Sequence, residues 1–218
     1  MLRNGVFRRR NLPHWDVENK PVFVTARLFG TLPGASWQRV QEHRAELAWK
    51  AERLRLSPME RERWRSKRLF QFIDELLDAE TPNPPLTDPR LAPLVESAMR
   101  HFDGVRYDLL SYTIMPSHLH WLFRPLEPWA LRAVNESRTR GRERTPREII
   151  THSLQSYTAT QCNRVLGRRG CFWQAEAYDH WVRDEPELAR IIAYIEQNPV
   201  RARLCAQPTD WPWTMRRP

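Results

Sequence analysis

The chain has few lysines, few cysteines and no long apolar run, and each shortage excludes something. Lysine occurs only at Lys20, Lys50 and Lys67, so nearly all of the 35 basic residues are arginine. The three cysteines, Cys162, Cys171 and Cys205, cannot all pair within one chain, and none forms a CxxC pair. That excludes a disulfide-dense scaffold and leads us to expect reduced thiols in a reducing compartment. No stretch approaches the roughly 18–20 consecutive apolar residues of a membrane helix, so no membrane partner is expected. The basic residues 1–10 lead into Asn11-Leu12-Pro13-His14-Trp15 instead of an apolar core. An export signal is therefore not expected, and the cytoplasm is the expected compartment.

What is present is a core and a charge. With 218 residues, 41% of them hydrophobic and 10 of them tryptophan, the chain has material for a packed globular protein. At about 100–200 residues per domain, we expect one domain over 1–218. Lys and Arg number 35 against 26 Asp and Glu, a formal charge of +9. Arginine offers a planar fork of donors that matches phosphate oxygens, so the surplus points to a polyanion, foremost nucleic acid. The same surplus also fits the solubility charge of an arginine-heavy protein, and composition alone leaves the two open.

Along the chain, residues 21–29 read as a strand closed by Gly30. A charged helix is expected over 37–54. Ser57, Pro58 and Glu60 supply an N-cap, a first-turn proline and an N3 acid for a second helix reaching about 79. Thr81-Pro82-Asn83-Pro84-Pro85 ends it, and Asp88-Pro89 opens a shorter helix to about 102. Charge alternates through 37–80 with thin apolar stripes, so 37–101 is expected to be a helical elaboration. After Asp103-Gly104, runs 105–115 and 118–124 flank Pro116-Ser117 and predict an antiparallel hairpin. The polar segment 135–147 is expected to be a mobile loop. A helix over 146–166 should end at Gly167. The clearest helix has Asp184 as N-cap, Glu187 at N3 and a stripe of Leu188, Ile191, Ile192 and Ile195, with Asn198-Pro199 marking its end. The tail at about 204–218, with Trp211-Pro212-Trp213, should pack around the domain.

The chemistry concentrates at two places. On a strand, His118 and His120 point the same way while Leu119 points the other, and two neutral imidazoles aimed at one spot make half a metal site. On the last helix, Tyr194 lies at the flank of the apolar stripe, and Asn198 follows four residues on along the same face. The phenol could serve as nucleophile and the amide oxygen as metal ligand. Arg190 and Arg201, near that face, could hold a phosphate backbone. Arg164, Arg168 and Arg169 with Phe172 and Trp173 combine cations with stacking surfaces, as single-strand binders do. Taken singly, each feature has a plainer explanation: a surface histidine pair, a core-rim tyrosine, a helix terminator, a solvated loop. Tyr157 and Tyr178 are rival nucleophiles, and Gln161 follows Tyr157 by four.

Taken together, these motifs resemble a known family. His118-Leu119-His120 after Met115-Pro116-Ser117, and Tyr194-Ile195-Glu196-Gln197-Asn198-Pro199-Val200 near the C-terminus, resemble the single-tyrosine transposases of the HUH endonuclease superfamily. The branch known as REP-associated tyrosine transposases is the nearest match. Leu12-Pro13-His14-Trp15, Arg100-His101-Phe102-Asp103-Gly104 and Arg183-Asp184-Glu185-Pro186-Glu187-Leu188-Ala189 resemble that branch too. The resemblance implies an α+β fold: a ferredoxin-like antiparallel sheet with helices on one face. It implies His118 and His120 as ligands of Mg²⁺ or Mn²⁺, Asn198 as third ligand and Tyr194 as nucleophile. It further implies attack on single-stranded or hairpin DNA, with repetitive extragenic palindromes as substrate. The products would be a 5′-phosphotyrosine and a free 3′-OH, made by a monomer or a homodimer. Ser117 departs from the Asn that many relatives carry, a change expected to affect the turn and not the chemistry. Two alternatives stay open: a nucleic-acid-binding protein that keeps the fold without transposing, and a metal-dependent phosphodiesterase using water.

Overall fold

The computed structural model describes residues 6–9, 13–16, 19–32, 34–80, 84–141, 143–175 and 177–217. Strands β1 (Val6–Arg9) and β2 (Pro13–Asp16) pair antiparallel as a separate ribbon. The main sheet begins with β3 (Val22–Arg27), whose residues are buried on both faces until Arg27. Next come α1 (Gly34–Glu52) and α2 (Pro58–Glu80), which pack on each other through Val40, Leu47, Leu69 and Leu76. The Ser57 cap forms as the sequence predicts: Glu60 N–H donates to Ser57 Oγ (3.3 Å) and Ser57 N–H to Glu60 (2.8 Å).

A 3₁₀ turn leads into α3 (Leu91–Arg100), followed by the hairpin of β4 (Tyr107–Ile114) and β5 (His118–Pro125). Helix α4 (Glu127–Thr139) covers part of the segment expected to be a loop, a correction. Its apolar stripe is only Ala130 and Val134, too narrow to show among charged neighbours, and tertiary contact stabilises it. Helix α5 (Pro146–Val165) has a full capping box between Thr145 and Glu148. It stops before Gly167, whose φ of 63° is the left-handed conformation glycine adopts without penalty. Strand β6 (Tyr178–Trp181), helix α6 (Glu185–Arg201) and strand β7 (Thr214–Arg216) complete the order.

The sheet runs β6-β3-β5-β4-β7 with every neighbour antiparallel. Its first four strands have the split-βαβ order of a ferredoxin-like domain, so the α+β expectation holds. Helices α3 and α5 cover one face through Leu91, Val95, Met99, Ile150 and Leu154 against Val24, Leu119, Trp121 and Phe123. The expectation of helices on one face needs correcting, because α6 and the end of α2 cover the other. There Phe23, Leu122, Val182 and Ile195 are buried, with Phe70 and Tyr194 packed against them. A sheet face lined by Phe23 and Leu122 would expose apolar surface to water if left bare, and burial is the favourable outcome. The tail is not mere packing: β7 adds an edge strand on β4, and Trp211 Nε1 donates to Ile114 O (3.0 Å). No helix among the described residues is long and apolar enough to cross a membrane.

Asn198-Pro199 does not end the last helix. Helix α6 runs through Pro199 to Arg201. A proline disfavours helical backbone at the residue before it. Here Asn198 is fully buried and hydrogen-bonded, and Ala202 N–H still reaches Asn198 O (2.9 Å). Tertiary fixation of Asn198 overrides the local preference.

Candidate active site

The site lies on the sheet face covered by α6 and α2. Register pairs Thr25 of β3 with His120 of β5 and Arg27 with His118, so period-two alternation sends both imidazoles toward those helices. Each ring is held from behind. His120 Nδ1 meets Thr25 Oγ1 at 2.7 Å, and His118 Nδ1 meets Ser117 Oγ at 2.9 Å. Ser117 Oγ also reaches the Leu77 carbonyl (3.3 Å), so this residue ties the imidazole to α2 in addition to shaping the turn.

With both Nδ1 atoms engaged, both Nε2 atoms face inward, 3.1 Å apart. Asp74 of α2 completes the convergence, its Oδ1 lying 3.3 Å from His120 Nε2 and 3.5 Å from His118 Nε2. Its other oxygen, Oδ2, accepts hydrogen bonds from the Tyr194 hydroxyl and from Asn198 Nδ2 (3.3 Å). The structure thus brings together His118, His120, Tyr194 and Asn198 as the sequence suggested, and adds Asp74 at their centre.

Three of these groups suit one divalent ion. The ligating atoms of Asp74, His118 and His120 lie within 4.8 Å of one another, and all three residues are buried. Ligands about 2.1 Å from one ion, on adjacent coordination positions, stand about 3 Å from each other. Asp74 Oδ1 and Asn198 Oδ1 are buried without a hydrogen-bond partner, a costly state unless something else engages them. The donor set of two imidazoles and a carboxylate fits such a cation.

Electrostatics agree. Burial drives His118 down to about 3, with His120 acting in the same sense and Asp74 opposing. Burial lowers His120 as well, against the opposing Asp74 carboxylate. Both rings are then neutral, the form that binds metals. Burial disfavours the charge on Asp74, but the two histidines and the donors Tyr194 and Asn198 outweigh it, so the carboxyl titrates below its ordinary value. Burial, then the Asp74 carboxylate, raises the Tyr194 phenol far above its ordinary value. Asp78, 4.0 Å from His118 Nε2, is pushed up to about 7 by burial and by Asp74.

These shifts predict acid sensitivity. Each histidine has a depressed pKa, so its contribution is present above the unfolded value near 6.5 and is lost as pH falls below it. Asp78 has a raised pKa and works the opposite way, gaining stability as it protonates below about 7. Two imidazoles outnumber one carboxyl. In chelator, stability should therefore fall as pH drops from 6.5 toward 5. Urea unfolding across that range measures it, and a flat or rising profile would refute neutral, buried histidines.

The remaining sequence candidates divide. The Arg201 guanidinium carbon lies 5.3 Å from the Tyr194 ring centre, near the site. Arg190 is exposed elsewhere on α6. Arg164 bonds Gln161 (3.3 Å), Arg168 bonds Asn163 (3.0 Å) and lies over Phe172 (5.3 Å), and Arg169 is exposed. Trp173 needs correction as a stacking surface. It is 7% exposed in the core, with Nε1 donating to Thr158 Oγ1 (2.8 Å), so no base can reach it. Tyr157 is 54% exposed on α5, among helices of the opposite face, and Tyr178 stacks on Phe70 at 4.1 Å. Asp74 went unread, although a signal existed: an acid inside the helical stripe Phe70, Ile73 and Leu77, where an apolar residue is the norm.

A buried carboxylate and a histidine pair that could hold a metal ion thus stand beside a tyrosine on an antiparallel α+β sheet. No protein-family model matches the chain. Over 111 residues it is 26% identical to a Haemophilus influenzae protein named "Putative REP-associated tyrosine transposase", covering 50% of this chain and 58% of that relative. The match thus spans little more than half of the relative's length. A solved structure, "Structure of the REP associates tyrosine transposase bound to a REP hairpin", aligns with 95% of this chain and 80% of its own at 14% identity and a TM-score of 0.42. The curated relative carries the name of the family that the motifs resemble.

Proposed function

We propose that this chain is a metal-dependent single-tyrosine DNA endonuclease and strand transferase, acting on single-stranded or hairpin DNA such as repetitive extragenic palindromes. The observation that carries the reading is the hydrogen bond from the Tyr194 hydroxyl to Asp74, the same carboxylate that faces both histidines. A tyrosine at a core rim has no need of a buried proton acceptor, whereas a nucleophilic one does.

Asp74, His118 and His120 would hold Mg²⁺ or Mn²⁺, with the Asn198 amide oxygen as a further donor. When bound, a divalent ion supplies charge neutralisation at the scissile phosphate, the main requirement of phosphoryl transfer. The chain's own groups do the rest. The Tyr194 oxygen bonds to phosphorus, its proton passes to Asp74 Oδ2, and the P–O3′ bond breaks. The leaving 3′ oxygen takes a proton from water. Ser117 and Thr25 fix the imidazole planes, and Arg201 beside the Tyr194 ring favours the developing phenolate. The 5′-phosphotyrosine conserves one phosphoester bond, so a 3′-OH can reverse the step and join strands without ATP.

The test is covalent trapping. Incubated with Mn²⁺ and hairpin-bearing oligonucleotides with random single-stranded flanks, the chain should form an adduct that survives denaturant. Mass spectrometry should place a phosphonucleotide on the peptide containing Tyr194. Cleavage without an adduct would assign the site to a water-using phosphodiesterase. Binding without cleavage would leave a DNA-binding protein.

A further inference from the structure

A second recess adjoins the site. It is a cleft of about 300 Å³ between α1 and the sheet, with Asp74, Thr25 and Phe70 in its lining. The catalytic cluster therefore opens directly into it. Beside aliphatic Leu69, Ile73 and Leu77, its walls carry basic and aromatic side chains: Arg27 from β3, Arg44 and Trp37 from α1. The Arg27 guanidinium carbon stands 5.5 Å from the Trp37 ring centre, and among the described residues its side chain has no acidic partner. Burial lowers the Arg27 pKa, the signature of a desolvated cation without a counter-charge. Arg44 likewise makes no hydrogen bond or ion pair with a described residue, and Trp37 leaves 42% of its surface exposed. Gln41 and Gln174 add amide donors and acceptors to the lining.

We propose that this cleft is a nucleotide pocket that takes one unstacked nucleotide of single-stranded DNA next to the scissile phosphate, its phosphate on Arg27 and Arg44 and its base on Trp37. The inference rests on the function proposed above and narrows its substrate to a strand with an unpaired nucleotide at that position. Two unpaired guanidiniums match a phosphate bidentately. An exposed indole offers a stacking face that any base can use, and glutamine amides can meet base edges. The pocket also gives the α1–α2 elaboration a role, because α1 supplies Trp37 and Arg44 while α2 supplies Asp74.

The test is fluorescence anisotropy in chelator, using the full chain with a mixed-sequence single strand and a fully abasic strand of equal length. Trp37→Ala should weaken binding of the mixed strand about tenfold and leave the abasic strand unchanged, and Trp37→Phe should restore it. Arg44→Gln should weaken both strands about threefold and flatten the salt dependence by about 0.7 in log–log slope. Unchanged melting temperatures will show that these surface variants fold. Parent-like binding by both variants would overturn the pocket, as would a loss confined to Arg44→Gln, which describes a basic surface without a base site. The two readings fail separately. Binding losses in a chain that forms no adduct would keep the pocket and remove the endonuclease. An adduct at Tyr194 with undiminished binding by both variants would do the reverse.

Discussion

Tyr194→Phe should abolish the denaturant-resistant DNA adduct completely while leaving the protein folded. The substitution deletes one oxygen and keeps the ring, whose contacts with Phe23 (6.0 Å between centres), Phe70 (6.2 Å) and His120 (5.3 Å) hold α6 against the sheet. The lost hydrogen bond costs about 1 kcal/mol. Asp74 Oδ2 keeps its other donor, Asn198 Nδ2. Any change in melting temperature should therefore be small, and DNA binding should persist. Gel analysis of cleavage and adduct in parallel decides the matter. Cleavage at the parent's rate by this variant would refute tyrosine chemistry, whatever the metal does.

Asp74→Asn should lower the rate of adduct formation by about 10²–10⁴-fold, the usual contribution of a positioned proton acceptor. The asparagine oxygen can still accept from Tyr194 but cannot take the proton at neutral pH. The same change should lower stability in chelator, because the site holds the Asp74 carboxyl below its ordinary pKa and so favours the ionised form over a neutral group. It should also erase the gain that Mn²⁺ gives the parent, about 2.7 kcal/mol at a hundredfold excess over Kd. Thermal melts with and without Mn²⁺, beside the kinetics, separate these effects. A variant as active as the parent would show that the phenol proton leaves by another route.

Much of this site was legible in the sequence because its cues are local. The alternation around Leu119 fixed where His118 and His120 point, and the Asp184 cap with its apolar stripe fixed the phase of Tyr194. Asp184 does accept from Glu187 N–H (2.8 Å), yet the Glu187 carboxylate turns to Arg183 and His180 instead of closing a capping box. What stayed hidden depends on distant segments. Asp74 is 120 residues from Tyr194, and no local periodicity reports that pairing. The run through Pro199 depends on a bond from Asn198 to Asp74, and the edge strand β7 depends on pairing with β4 across roughly a hundred residues. The buried ion pair of Arg147 with Asp179 (3.3 Å) belongs to the same class of long-range contact.

The cluster draws on four stretches of chain, at Thr25, Asp74, Ser117 to His120 and Tyr194 to Asn198, and none of these contains a working subset. Closing such distant loops is entropically slow, and their contacts form only as the whole sheet assembles. A chain still emerging from the ribosome holds the carboxylate and then the histidines before it holds Tyr194, and one clipped between α2 and α3 separates Asp74 from the histidines and the tyrosine. Partly made copies lack the assembled cluster, so the topology makes the activity proposed above depend on a finished fold.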